Sequence, residues 1–154
     1  MDKQKLYLRV VNKNDIELIF KWSNDSVVRE NSFSSKPIKW EEHRKWFIET
    51  LENKNVYFFI LMKNDSEVGQ VRIKIEDSYI TISYSISSEY RGLGYGKSIL
   101  ILLEKKIYEL FRDKYILRAF VKEDNNISRF LFKKLGYIEK KQTEKNICYI
   151  KYLK

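Results

Sequence analysis

The segment from Arg91 to Ser98 constrains this chain most, because it places three of the five glycines in one short loop. Gly92, Gly94 and Gly96 follow a strand-like segment and open an amphipathic helix. Glycines at such a junction leave backbone N–H groups open to an anion at the positive end of the helix dipole. The segment therefore predicts a phosphate-binding loop.

Hydrophobic periodicity predicts the element order β-α-α-β-β-β-α-β-α-β-β. The predicted strands are residues 6–11, 56–62, 68–75, 79–86, 115–121, 137–143 and 147–153. The predicted helices start at a cap formed by Asn14 and Asp15, at Trp40, after the glycine loop and at Asn125, and residues 23–39 are expected to form a polar loop. This order favours an α+β fold with a mixed, mostly antiparallel sheet of about seven strands and about four helices. The strands flanking the glycine-loop helix should be its parallel pair.

Length and composition predict one domain spanning residues 1–154, since 44% of the 154 residues are hydrophobic and no Pro- or Gly-rich linker divides them. No apolar run approaches the roughly 20 residues that span a membrane, and Met1 to Lys5 lacks a secretory pattern. We therefore expect a cytoplasmic protein without a membrane partner. One cysteine (Cys148) and one histidine make a metal site unexpected.

The net charge of +9 is concentrated in the second half of the chain. Residues 1–77 carry 14 Lys and Arg against 13 Asp and Glu, whereas residues 78–154 carry 16 against 8. An anionic ligand near the glycine loop would explain this asymmetry, and a solvated basic surface is the alternative explanation. No known nucleic-acid-binding motif accompanies the basic half, so nucleic acid is not the expected partner.

Two motifs carry a resemblance to the GNAT superfamily of N-acetyltransferases. Arg91, Gly94 and Gly96 match its Arg/Gln-x-x-Gly-x-Gly/Ala signature after the fourth strand. The segments 121–128 and 131–137 are similar to its second conserved region, with an Asn and a Ser followed by Leu-Phe-x-Lys-x-Gly-Tyr. The resemblance extends over essentially the whole chain and implies acetyl transfer to an amine.

By this resemblance the donor is acetyl-CoA and CoA is the product. The loop amides of residues 92–97 would hold the pyrophosphate, Arg91 and Lys97 would add charge, and the pantetheine would pair with residues 84–87 where the fourth and fifth strands splay. Asn125 could instead be only a helix cap. The implied cofactor-binding residues are Ser85, Ile86, Ser87, Arg91, Gly92, Leu93, Gly94, Tyr95, Gly96, Lys97, Ser98, Asn125, Ser128 and Phe132.

The N-terminal third resembles a subgroup that acts in nucleotide-sugar pathways, the amino-sugar N-acetyltransferases of pseudaminic acid type. The resemblance rests on segments 22–29, 32–38 and 43–47. It implies a nucleotide-linked amino sugar as the acceptor, with cations for its phosphates and aromatic rings for its flat groups. The implied acceptor residues are Asp25, Arg29, Phe33, Trp40, His43 and Trp46.

Three groups are candidates for the chemistry of acetyl transfer. His43, the only histidine, has a suitable pKa for a base, or else binds substrate or packs in the core. The N–H of Ile86 would stabilise the thioester oxygen. Phe132 occupies a position where many family members have a tyrosine, so Tyr84, Tyr137 or solvent would have to protonate the leaving thiolate.

Two other functions fit the same sequence. One is a protein or peptide N-acetyltransferase of the ribosomal-protein type. The other is a non-catalytic module that binds acyl-CoA or nucleic acid through the basic half. An exposed edge strand near the C-terminus also offers a contact for a homodimer.

Overall fold

A computed structural model describes residues 5–112, 115–141 and 145–153. Within these ranges the chain forms seven strands and five helices. The strands are β1 (Leu6–Val10), β2 (Val56–Lys63), β3 (Ser66–Glu76), β4 (Tyr79–Ile86), β5 (Ile116–Lys122), β6 (Ile138–Lys141) and β7 (Asn146–Tyr152). The helices are α1 (Ile16–Ser23), α2 (Ser26–Glu30), α3 (Trp40–Glu52), α4 (Tyr95–Leu110) and α5 (Asn126–Lys134). Short 3-10 turns lie at Lys13–Asp15 and Ser88–Tyr90.

The strands form one mixed sheet in the order β1-β2-β3-β4-β5-β7-β6. All neighbours are antiparallel except β4 and β5, which flank α4 in the chain. Both the α+β class and the position of the parallel pair are therefore confirmed. The parallel pair requires a long crossover, and α4 supplies it. The predicted C-terminal edge is β6, and its use by a second chain stays a prediction.

The sheet splits where β4 and β5 part. They pair only between residues 79–81 and 116–118, although β4 continues to Ile86. Beyond this point β5 remains paired with β7 along its whole length. The splay predicted near residues 84–87 is thus confirmed, and it leaves one edge of β4 open in the middle of the sheet.

Two hydrophobic clusters lie on opposite faces of the sheet. The larger one joins β3, β4, β5 and β7 to α4 and α5, and the smaller one joins α1, α3 and β2. Since side chains alternate along a strand, the residues of β3 and β4 between those of the larger cluster face the side of α1 and α3. We call them the polar sheet face: Gln70, Arg72, Lys74, Thr81, Ser83 and Ser85.

Two local predictions need correction. Residues 23–39 are not only loop, because Asp25 caps the five-residue helix α2, which is too short to show a periodicity. Asn12, rather than Asn14 or Asp15, provides the first cap, and it forms a capping box with Asp15. Of the five helices in the described ranges, four have at least eight residues, in agreement with the predicted number of about four. Residues 142–143, the predicted end of a strand, lie outside the described residues.

The helices of the described ranges include none with the length and apolarity needed to cross a membrane.

Candidate active site

Among the described residues, no side chain caps the N-terminus of α4. This 16-residue helix begins at Tyr95, with Gly94 as its N-cap residue, and has no acidic residue in its first turn. The 3-10 turn at residue 13, α2 and α5 are instead capped by Asn12, Asp25 and Asn125. The first N–H groups of a helix lack partners within it, so those of α4 remain available to a phosphate.

The three glycines of the loop are required for two different physical reasons. Gly92 and Gly94 adopt φ of 75° and 88°, a region that disfavours other residues. Gly96 lies within α4, where an added Cβ would come 3.1 Å from the side chain of Leu131 and 3.7 Å from that of Tyr84. Gly96 therefore permits α4 to approach α5 and β4 closely.

The other loop residues lie at the surface or contact each other. Leu93 is 65% exposed and Lys97 is exposed, so both are accessible to a ligand. The Tyr95 ring packs edge-on against Tyr90 at 5.7 Å, and the Ser98 hydroxyl donates to the Gly94 carbonyl.

The open edge of β4 presents main-chain groups to the split. Ser87 N–H donates to the Val68 carbonyl on β3 at 2.9 Å. Because bonding direction alternates along an antiparallel strand, the N–H groups of Tyr84 and Ile86 point away from β3, into the split. The amide of Ser87 is used by β3, and the hydroxyl of Ser85 accepts a hydrogen bond from Gln70. Of residues 84–87, Tyr84 and Ile86 thus offer the open amides.

Arg91 is held within the protein rather than directed at a phosphate. Its Nε donates to the Ile86 carbonyl at 3.1 Å, and its Nη2 donates to Asp25 Oδ1 at 2.6 Å. The same Asp25 oxygen accepts from the amides of Val27 and Val28. Burial opposes ionisation of Asp25, but Arg91 and these amides outweigh it, so its pKa is lowered. The pair fastens α2 to the end of β4, beside a cavity of about 50 Å³ that is too small for a nucleotide.

Replacing Asp25 separates its two contacts. Asp25→Ala removes both the helix cap and the ion pair, and we expect a loss of about 1–2 kcal/mol of unfolding free energy. Asp25→Asn can still cap α2 and should retain most of that stability. Denaturant unfolding of both variants measures the difference; equal losses would show that the cap contributes nothing.

Arg29 does not reach the acceptor side as predicted. Its guanidinium donates to the carbonyls of Ser23, Ser34 and Lys36 and to the Ser32 hydroxyl. Burial lowers its pKa. These bonds organise the segment after α2 and leave the guanidinium engaged, so the assignment of Arg29 to a diphosphate is corrected.

Tyr84, Ser128 and Phe132 meet where α5 crosses β4. The Tyr84 hydroxyl and Ser128 Oγ lie 2.8 Å apart, and the Tyr84 ring packs edge-on against Phe132 at 5.9 Å. Burial raises the pKa of Tyr84, although the bond to Ser128 acts in the opposite direction. Asn125 caps α5 by accepting from the Ser128 amide at 3.3 Å, so its alternative role as a cap is present.

Phe132 and Tyr137 belong to the core around this cluster. Phe132 is 1% exposed and stacks on Tyr149 at 5.7 Å. The Tyr137 hydroxyl is buried and has no hydrogen-bond partner among the described residues. Burial, with the charge of Glu104, strongly raises its pKa. Of the two tyrosines considered as acids, Tyr84 alone is both partly exposed and beside the split.

His43 lies in an aromatic core instead of the site. It is 1% exposed, and its Nε2 is 2.9 Å from the Ile16 carbonyl, to which it donates. Its ring is 5.0–5.9 Å from those of Phe20, Trp40, Trp46 and Phe47. A base must reach the acceptor amine directly or through water, and this burial prevents it. The predicted catalytic and acceptor-binding roles of His43 are therefore corrected to packing.

His43→Gln tests this correction, because a glutamine amide can still donate to the Ile16 carbonyl. We expect turnover within about threefold of the wild type, whereas loss of a general base costs roughly 100-fold or more. A loss of that size would restore His43 as the base.

Burial of His43 also predicts a pH dependence of stability. Its pKa is lowered from 6.5 by burial, with partial opposition from the bond to Ile16. The unfolded chain therefore binds a proton before the folded protein does, so stability is complete above about pH 6.5 and decreases as the pH falls toward the lowered pKa. Thermal unfolding at several pH values should show this decrease in the wild type and not in His43→Gln.

The remaining acceptor candidates are surface aromatics at different places. Phe33 is 62% exposed in the segment held by Arg29, and Trp40 is 38% exposed and packs edge-on against Phe20. Trp46 is partly buried and lies beside Arg72, whose Cζ is 4.9 Å from its ring centroid. Only Trp46 thus borders the polar sheet face through a contact with one of its members.

No motif in the sequence marks Arg72, Gln70 or Ser83 as a site residue. Their alternation in β3 and β4 indicated one shared face, but gave no sign that helices leave this face partly open. The ladder aligns Phe58, Arg72 and Ser83 across three strands.

Comparison with known proteins identifies the family. The sequence model of the acetyltransferase (GNAT) domain matches residues 5–138. An uncharacterized protein of Methanocaldococcus jannaschii is 26% identical over 150 residues, or 94% of this chain, and the chain spans 30% of that relative's length.

Solved structures share the fold. A domain from M. jannaschii aligns with a TM-score of 0.84 and 26% identity, covering 98% of this chain and 100% of that one. Spermidine N-acetyltransferase from Vibrio cholerae, in complex with CoA and spermine, aligns at 0.82 and 14% identity over 96% and 94% of the two chains. RimL, a ribosomal L7/L12 protein acetyltransferase in complex with CoA, gives the same values. The latter two likenesses show the fold alone. With a family match over most of its length, the chain belongs to the acetyltransferase (GNAT) domain family.

Proposed function

We propose that this protein transfers the acetyl group of acetyl-CoA to the primary amine of a nucleotide-linked amino sugar. The observation that carries the proposal is the open edge of β4 beside the uncapped N-terminus of α4. The helix N-terminus offers N–H groups to a phosphate, and the strand edge offers main-chain groups to a chain of amides. An acyl-CoA contains both a pyrophosphate and such a chain of amides.

Each part of the site has a role in this reaction. The first amides of α4 hold the pyrophosphate, and Lys97 adds charge from the surface. Main-chain groups of Tyr84 pair with the pantetheine arm. Bound acetyl-CoA supplies an activated carbonyl, and the N–H of Ile86 donates to its oxygen as negative charge develops there. Arg91 keeps Ile86 in position through its carbonyl.

Tyr84 is proposed as the group that protonates the leaving thiolate. Its raised pKa keeps the hydroxyl protonated at neutral pH, and Ser128 orients it. No second histidine exists in the chain to replace His43 as a base. We therefore propose that the acceptor amine loses its proton to water in the split.

An anionic acceptor is supported by the charges on the polar sheet face. Arg72 and Lys74 lie on this face, and Lys122 of β5 borders it, with its Nζ on the Glu30 carbonyl. The net charge of +9 acts in the same direction. A polycation such as spermine would meet repulsion here, whereas a nucleotide-linked sugar would be attracted.

Release of CoA from acetyl-CoA, followed with a thiol reagent, tests the proposal. UDP-4-amino-4,6-dideoxy sugars are compared with N-terminal peptides and with spermidine, and acetyl-CoA without acceptor is the blank. We expect turnover with the sugar nucleotides. Turnover with peptides alone would instead indicate a protein acetyltransferase, the activity that the structural neighbour RimL is named for. Binding of acetyl-CoA without turnover, together with salt-dependent binding of RNA or DNA, would indicate a non-catalytic module.

A further inference from the structure

Arg72 has unused hydrogen-bonding capacity on the polar sheet face. Among the described residues its guanidinium forms neither a hydrogen bond nor an ion pair. Its contacts are with two aromatic rings, Trp46 at 4.9 Å and Phe58 at 5.6 Å from Cζ. A guanidinium carries five N–H donors in a planar fork, so a buried one normally binds a carboxylate, a phosphate or carbonyl oxygens.

The surroundings of Arg72 explain why no protein carboxylate fills this role. Glu76 is the acidic side chain nearest along β3, and it already pairs with Arg118 at 2.7 Å and with Lys74 at 3.5 Å. Burial lowers the pKa of Arg72, and no carboxylate counteracts that effect. Arginine nevertheless stays protonated at neutral pH. A cation that is partly desolvated and lacks a counter-ion is a binding element for an anion.

The candidate anion site at Arg72 is bordered by the rings of Trp46 and Phe58 and by the hydroxyl of Ser83. Trp46 and Phe58 pack against the guanidinium and limit its movement, while its planar fork of N–H donors can form a two-pronged contact. Ser83 is directly across the ladder from Arg72 and is exposed, so its hydroxyl can donate to the same anion. The side-chain amide of Gln70, also on the polar sheet face, donates a hydrogen bond to the Ser85 hydroxyl and is thereby held in place.

The distance between Ser83 and Ile86 matches the size of an acceptor that carries both a phosphate and an amine. Ser83 precedes Ile86 by three residues on β4, or about 10 Å at roughly 3.3 Å per residue. Its side chain lies on the face opposite the α4–α5 core, just beyond the point where β4 and β5 part. An amine near Ile86 and a phosphate near Ser83 would thus be about 10 Å apart, a separation that a sugar ring with its substituents can span.

We propose that Arg72, with Ser83, binds a phosphate group of the acceptor. This inference rests on the proposed function, because it assigns the site to the molecule that carries the amine. It predicts that the enzyme selects phosphate-bearing acceptors and discriminates against polyamines, which would place positive charge beside Arg72.

Binding of UDP, measured by calorimetry without acetyl transfer, tests this site. Saturating CoA is present throughout, so that the N-terminus of α4 is occupied and cannot account for UDP binding. The variants are Arg72→Gln and Arg72→Lys, and Arg44→Gln is the matched control, since it removes the same charge from an exposed position on α3. Circular dichroism checks that each variant is folded.

We expect Arg72→Gln to weaken UDP binding at least roughly tenfold, the scale of one lost charged hydrogen bond. Arg72→Lys should recover only part of this loss, because lysine lacks the planar fork. Arg44→Gln should remain near the wild type, and affinity for acetyl-CoA should be unchanged in all three. If Arg72→Gln does not fold, Ser83→Ala provides the second test, with a smaller expected loss.

Two outcomes would overturn the site: UDP that does not bind to the wild type, or UDP that binds equally well to Arg72→Gln and the wild type. Failure of the proposed function has a different signature. In that case CoA release would be absent with every sugar nucleotide, while UDP binding would still depend on Arg72.

Discussion

Gly94→Val should abolish measurable acetyl-CoA binding while the chain remains folded. Gly94 has φ of 88° and is the N-cap residue of α4, which has no side-chain cap. A β-branched residue at this φ costs about 1–3 kcal/mol of strain and shifts the backbone toward negative φ, which redirects the first amides of the helix. The loss of two charged hydrogen bonds corresponds to an affinity loss of roughly 100-fold or more.

Gly136→Val is the matched control, because it imposes the same backbone strain elsewhere. Gly136 follows α5 with φ of 93°, and an added Cβ would meet only the end of the Lys151 side chain, 3.9 Å away. We expect similar destabilisation in both variants, measured by denaturant unfolding, and loss of acetyl-CoA affinity in Gly94→Val alone. Calorimetric affinities that fall equally in both, or in neither, would contradict the assignment of the loop.

Tyr84→Phe should reduce kcat with little change in the KM for acetyl-CoA. Removing the hydroxyl eliminates the proposed acid while preserving the edge-on contact with Phe132. General acid catalysis contributes 100-fold or more, and we expect a decrease of roughly that size. Since burial raises the pKa of Tyr84 above its ordinary value of 10, kcat of the wild type should not fall on the alkaline side below that pH.

Tyr149→Phe serves as the control for loss of a buried tyrosine hydroxyl. Tyr149 donates to Glu139 at 2.6 Å on the far side of Phe132. Its replacement should lower stability and leave kcat near the wild-type value. If the two variants lose kcat to the same degree, the effect of Tyr84 is structural and solvent protonates the thiolate.

The position of the glycine loop could be predicted from sequence because its signals are local. Glycines at positive φ, the preceding strand and the following helix all lie within about thirty residues. The two flanking strands could also be expected to be parallel, since a helix of four turns links them. The split between them followed from the family resemblance, and the ladder then identified the open amides of Tyr84 and Ile86.

The side-chain partners at the site were less predictable, and His43 illustrates the reason. Its residue type suggested a base, but its role depends on Ile16, 27 positions earlier, and on four rings from α1 and α3. Arg29 was misassigned similarly, because its carbonyl partners form only when the segment after α2 folds around it.

By itself the sequence determined the family, the order of strands along the chain and the glycine loop that precedes α4, since glycine conformation and hydrophobic periodicity act over neighbouring residues. Tertiary structure alone decided that Arg91 binds Asp25, 66 positions away, that Tyr84 meets Ser128 across 44 positions, and that Arg72 has no counter-ion among the described residues. The physical reason is that a charged or hydroxyl group acts through whichever groups packing brings within about 3 Å, and strand alternation cannot specify those partners.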